Sequence, residues 1–100
     1  MVVEGAFADA NPAAVQRIID DARSSIEWVI ANPVEAGQLV EKHELGLRAP
    51  IVTAAIPNSN YVFIPALQAR QSIEALLSIF LESNPVSVGG ALPDDRFYYR

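Results

Sequence analysis

One hundred residues with twelve Asp and Glu against seven Lys and Arg give a net charge of −5. That balance excludes a phosphate-backbone partner such as nucleic acid and disfavours an anionic membrane surface, since both need clustered cations. Hydrophobic residues at 51% with a mean hydropathy of +0.21 exclude a disordered tail, and the absence of Cys excludes a disulfide framework and a Cys-ligated zinc or iron–sulfur site.

The length admits one domain or a piece of one. For a free-standing domain the composition is on the apolar side, so some surface is expected to be covered by chain not present here. Met1-Val2-Val3-Glu4-Gly5 lacks the basic and apolar regions of a signal peptide. The chain is therefore read as starting downstream of its natural N-terminus. No apolar run approaches the ~20 residues of a membrane span.

Asn-Pro occurs at Asn11-Pro12, Asn32-Pro33 and Asn84-Pro85. Asn is a good helix N-cap, and Pro fits the first helical position because its missing N–H would be unpaired there. After Pro12, Val15, Ile18, Ile19, Ala22, Ile26, Val29 and Ile30 fall on one helical face. Polar residues fill the other face, and Trp28 lies off the centre of the stripe as a rim or packing residue. The spacing predicts a helix over 12–31, ended by Pro33.

Asn32 and Glu35 have capping-box spacing. A second helix is expected over 33–45, with Ala36, Leu39 and Val40 as its apolar face and Gly46 as its stop. A short helix is expected over 50–56. Asn58-Ser59-Asn60 reads as a turn, followed by the apolar run Tyr61-Val62-Phe63-Ile64. The last helix is expected over 65–83, with the stripe Ile73, Leu76, Leu77, Phe80 and Leu81. Residues 84–100 are expected to be irregular, with turns at Gly89-Gly90 and Pro93-Asp94-Asp95. Phe97, Tyr98 and Tyr99 in that tail are expected to dock on something. The strand candidates are Tyr61–Ile64, which length alone does not make a strand, and Met1-Val2-Val3, which has no obvious mate, so the fold class is mainly α with one or two short strands.

Chemistry is sparse. The only histidine, His43, sits near the end of the second helix, where an imidazolium would suit the helix dipole. No strained nucleophile elbow surrounds Ser24 or Ser25. Asp20-Asp21 and Asp94-Asp95 are adjacent pairs that do not face the same way on a helix. Gly89-Gly90 lacks a phosphate-loop frame. No enzyme activity, metal or cofactor is expected. Asn58, Asn60 and Tyr61 form a polar turn whose side chains can donate and accept hydrogen bonds.

The order of segments adds information. Val2-Val3 leads to Phe7-Ala8-Asp9-Ala10-Asn11-Pro12, then a helix reaches Glu27-Trp28, then Asn32-Pro33-Val34-Glu35-Ala36 follows. The chain closes on Ser87-Val88-Gly89-Gly90-Ala91-Leu92-Pro93-Asp94-Asp95-Arg96-Phe97-Tyr98-Tyr99. This resembles the C-terminal third of a substrate-binding protein of an ABC importer, of the nitrate/sulfonate/taurine type. Ala91 stands where that ending often has Lys. The resemblance implies a helical C-terminal fragment of a bilobed α/β periplasmic-binding-protein fold, about three times this length in full. It implies a small-molecule solute bound without chemistry by lobe closure, and docking on an ABC permease. It also implies a periplasmic or extracellular, membrane-associated parent. Asn58, Asn60 and Tyr61 are the expected ligand-side residues. The alternative expectation is a stand-alone helical interaction module that forms a homo-oligomer.

Overall fold

The computed structural model describes residues 1–99. Helix accounts for 72% of the chain and there is no strand among the described residues, so the fold is mainly α. The one or two short strands expected from the sequence are not formed. Met1-Val2-Val3 is exposed and irregular, and Tyr61–Ile64 is an extended connection. A strand is stable only when its backbone groups pair with a neighbour, and neither segment has one.

The chain divides into two compact units. The first covers Asn11–Phe63 and holds three helices: α2 (Pro12–Ala31), α3 (Pro33–Lys42) and α4 (Ala49–Ala55), the last running into a 3-10 turn at Ile56–Asn58. The second joins Met1–Ala10 to the chain from Ile64 onward. It holds α1 (Gly5–Ala10), α5 (Ala66–Ser83) and 3-10 turns at Pro85–Val88 and Asp95–Phe97.

In the first unit, α2 carries its apolar stripe inward along Val15, Ile19, Ala22, Ile26 and Val29, which are buried or half-buried. Ile18 and Ile30, at the edges of the stripe, stay exposed. Pro12 and Pro33 occupy the first positions of α2 and α3. The capping box at Asn32 does not form. Its side-chain amide instead donates back to the Trp28 carbonyl at 2.8 Å, and its backbone N–H donates to the same oxygen at 2.8 Å. Asn32 thus closes α2 with its side chain and N–H, while its carbonyl accepts the Ala36 N–H at 2.9 Å and opens α3.

The end of α3 also differs from expectation. The helix stops at Lys42, and Glu44, not Gly46, takes the left-handed conformation that terminates it, with φ 53°. The Leu45 N–H donates to the Val40 carbonyl and the Glu44 N–H to the Glu41 carbonyl, both at 3.1 Å. This is a Schellman motif, normally built on Gly. Glu44→Gly is expected to raise stability by about 1 kcal/mol, because a side chain in that region costs energy that Gly does not. The urea midpoint should rise with an unchanged m-value; a lower midpoint would show that Glu44 is held there by something else.

Helices α3 and α4 approach closely at Gly37, which is buried. Thr53 donates its hydroxyl to the Pro33 carbonyl at 3.2 Å. The Glu41 carboxylate accepts the Ala49 N–H at 2.7 Å and so caps α4 from another helix. A negative group at a helix N-terminus both satisfies an orphan donor and suits the dipole.

In the second unit, the tail is not wholly irregular. Gly89, with φ 73°, ends the turn at Pro85–Val88, and the Gly90 N–H donates to the Pro85 carbonyl at 2.8 Å. Asp94 accepts the Arg96 N–H at 3.0 Å and opens the turn at Asp95–Phe97. The result delivers Tyr98 to a buried position.

Candidate functional site

The first unit has an open groove of about 810 Å³. Its floor and walls come from the inner edge of α2 (Ile26, Trp28), from Leu39 and His43 of α3, from Val52 of α4, and from Tyr61 beyond the 3-10 turn. The groove exists because one long and two short helices meet without enough large side chains to close over them. Ala36 and Gly37 let α3 approach α4, and the space on their flank is left to Leu39 and Trp28. Each of these two is 42% exposed. The lining is aliphatic and aromatic, and it contains no Asp, Glu, Lys or Arg. Its polar side chains are few: Ser25, the His43 ring, the Trp28 indole N–H and the Tyr61 hydroxyl. Such a surface can bury apolar matter. It offers little to hold a small anion, which needs convergent N–H donors or cations.

Of the three residues singled out from sequence, only Tyr61 lines the groove. Asn58 is exposed and donates its side-chain amide to the Ala54 carbonyl at 3.1 Å, finishing α4 and its 3-10 turn. Asn60 is exposed in the left-handed region with φ 51°, a conformation Asn tolerates well. Trp28, set off the centre of the apolar stripe by periodicity, lines the groove together with Leu39 of the expected apolar face of α3. A cation–π contact flanks the same unit, with the Arg23 guanidinium 4.8 Å above the Phe63 ring.

The second unit contains a polar clamp on the tail. The Arg70 guanidinium donates to Glu74 at 2.7 Å and to Asp95 at 2.6 Å, and lies 4.9 Å over the Tyr98 ring. The hydrogen bonds it donates to Glu74 and then to Asp95 hold Arg70 still more firmly in its charged form. Tyr98 is 2% exposed, and its hydroxyl has no hydrogen-bond partner among the described residues. Burial pushes the Tyr98 phenol above its usual range, and the negative Glu74 adds to this while Arg70 opposes it. Phe97 stacks edge-on against Tyr98 with centroids 5.2 Å apart. Arg96 reaches Asp9 of α1 at 3.6 Å, both side chains being well exposed, so that pair contributes little. This arrangement fastens the tail to α5.

No group of three or more His, Asp or Glu among the described residues is placed to hold a metal ion. No helix among them is long and apolar enough to cross a membrane. No protein-family model matches the chain, and no curated protein or solved structure is significantly similar to it.

Proposed function

We propose that this chain is a segment of the solute-binding protein of an ABC importer, of the nitrate/sulfonate/taurine type, which captures a small molecule without chemistry and hands it to a permease. The observation that carries this reading is the order of its short motifs, from Phe7-Ala8-Asp9-Ala10-Asn11-Pro12 through Glu27-Trp28 and Asn32-Pro33 to Gly89-Gly90-Ala91-Leu92-Pro93-Asp94-Asp95. Its support from physics is indirect. Helices α2, α3 and α5 bury few of their apolar residues, as helices do when the layer they should cover lies elsewhere. The parent works outside the cytoplasm, beside the membrane that holds its permease. Asn58, Asn60 and Tyr61 are its proposed ligand contacts from this segment, with amide and phenol groups that both donate and accept.

The second reading is a helical interaction module with no small-molecule ligand. The uncharged groove of the first unit favours it. Two measurements separate the readings. An antibody against α2 should detect, in the source cells, a protein about three times 10.8 kDa, outside the cytoplasm. That protein should melt higher with one member of a panel of nitrate, alkylsulfonates and amines. A native band at 10.8 kDa would overturn the importer reading. So would a melting shift by one of these solutes in the 100-residue chain alone, because the pocket would then be complete without a second lobe.

A further inference from the structure

Among the described residues, the chain from 91 to 98 joins α1 and α5 through side chains and not through its backbone. The hydrogen bonds its backbone makes are local. The Arg96 N–H donates to the Asp94 carboxylate, the Phe97 N–H to the Asp94 carbonyl, and the Tyr98 N–H to the Asp95 carbonyl at a long 3.4 Å. From 91 to 97 no residue is buried. The hold on α5 is the buried Tyr98 ring against the Arg70 guanidinium, with Asp95 on one arm of the same guanidinium.

The strength of that hold is bounded. Burying one large side chain keeps a contact closed about 10- to 150-fold over open. The Arg70–Asp95 pair adds little, because the Asp95 side chain is 71% exposed, and the Arg96–Asp9 pair is more exposed still. The Tyr98 hydroxyl, beside Glu74 without a well-formed hydrogen bond, opposes closure. Unfolding a whole domain of this size is opposed by more than about 1,000-fold. The segment should therefore let go before the helices do. Gly89 and Gly90 stand at its base, both left-handed with φ 73° and 85°, and no atom lies within 4 Å of where a Cβ would sit on either. Such residues absorb a change of direction without a clash.

We propose that residues 91–98 form a strap that swings off α5 as one piece about Gly89-Gly90, while the helices stay folded, with Arg70 as its catch. Opening bares the Tyr98 ring and frees the arm of Arg70 that holds Asp95. A molecule that takes up either group shifts the strap toward the open form. The strap belongs to this chain by itself and does not depend on the importer reading.

Trypsin reads the opening, since cleavage tracks the open population when closing is fast. Arg96 lies in the strap, whereas Arg17, Arg23 and Arg70 lie inside α2 and α5. In the folded 100-residue chain, the cut after Arg96 should run about 10- to 150-fold slower than in a free peptide of residues 91–100. It should respond weakly to urea below the unfolding midpoint, because a local opening exposes little surface. Cuts at Arg17, Arg23 and Arg70 should come later and rise steeply with urea. Arg70→Gln lies outside the peptide, so it leaves trypsin's preference at Arg96 untouched; it should speed that cut about 3- to 30-fold. Circular dichroism checks that this variant folds, and if it does not, the urea dependence of the parent chain decides. A cut after Arg96 that shares the urea dependence of the helix cuts would overturn the strap, because 91–98 would then open only with the whole fold. A cut as fast as in the peptide would overturn it too, because no closed form would exist. An unchanged rate in folded Arg70→Gln would overturn the catch.

Discussion

Gly37→Ala is expected to destabilise the chain by about 1–3 kcal/mol, lowering the melting temperature by roughly 5–20 °C. The sign is the informative part. Gly37 lies inside α3, and at an exposed interior helix position the same change gains close to 1 kcal/mol through propensity alone. Here the added methyl would meet the Thr53 hydroxyl and, at 2.6 Å, the Ala49 carbonyl oxygen, with the Thr53 N–H at 3.3 Å. A side chain can rotate away, but the backbone of α4 can only move as a helix. Its movement would also strain the Glu41–Ala49 cap and the Thr53–Pro33 hydrogen bond. Thr53→Ala removes one obstacle and leaves the Ala49 carbonyl, so Gly37→Ala should still destabilise in that background. The same displacement widens the groove, and Trp28 emission should move to the red. A rise in melting temperature for Gly37→Ala would mean that α3 and α4 are not in this contact.

That contact also shows what a linear sequence can display. Pro12 and Pro33 mark the starts of α2 and α3 because Pro acts on its own residue and its neighbour. The stripe from Val15 to Val29 is likewise local, a repeat within one helix. The six-residue α1 was not legible, since Gly5–Ala10 has one large apolar residue, Phe7, and no period to read. The stop of α3 was legible in kind but not in place. Gly46 is also left-handed, with φ 89°, yet the Schellman bonds form two residues earlier around Glu44. Which residue ends the helix is decided by where its carbonyls run out of partners, and composition does not record that. The strand expectation failed because strands are defined by pairs and no mate is present among the described residues. The groove was invisible for a related reason: Trp28, Leu39, Val52 and Tyr61 come from four segments and share no motif. Asn58 and Asn60 stood out as polar turn residues, and one of them ends a helix while the other accepts a left-handed turn. Neither role is visible without the turn itself.

Replacing Tyr98 should separate two contributions of one side chain. Tyr98→Ala is expected to lower the melting temperature by more than about 10 °C, because an aromatic ring that is 2% exposed leaves a cavity when truncated. It also removes the surface on which Arg70 and Phe97 rest. Tyr98→Phe keeps the ring and deletes a buried hydroxyl that lies beside the Glu74 carboxylate without a well-formed hydrogen bond to it. Its melting temperature near neutral pH should equal or exceed that of the parent chain, since an unpaired buried polar group is a cost and not a contribution. The two forms should then part company in alkali. Burial, with Glu74 beside it, raises the folded phenol above its usual value, which is about 10 in the unfolded chain. Above that pH the unfolded chain releases the proton while the folded chain retains it. Folding stability from this group is therefore intact below about pH 10 and falls as pH climbs toward the folded value. Other groups titrate in the same range, so the readout is the difference between the parent and Tyr98→Phe, compared at about pH 8 and pH 11. The parent should lose more stability between those two points than the Phe variant. Equal losses would mean that the Tyr98 hydroxyl reaches water in solution, and that the tail is not seated on α5 through this ring.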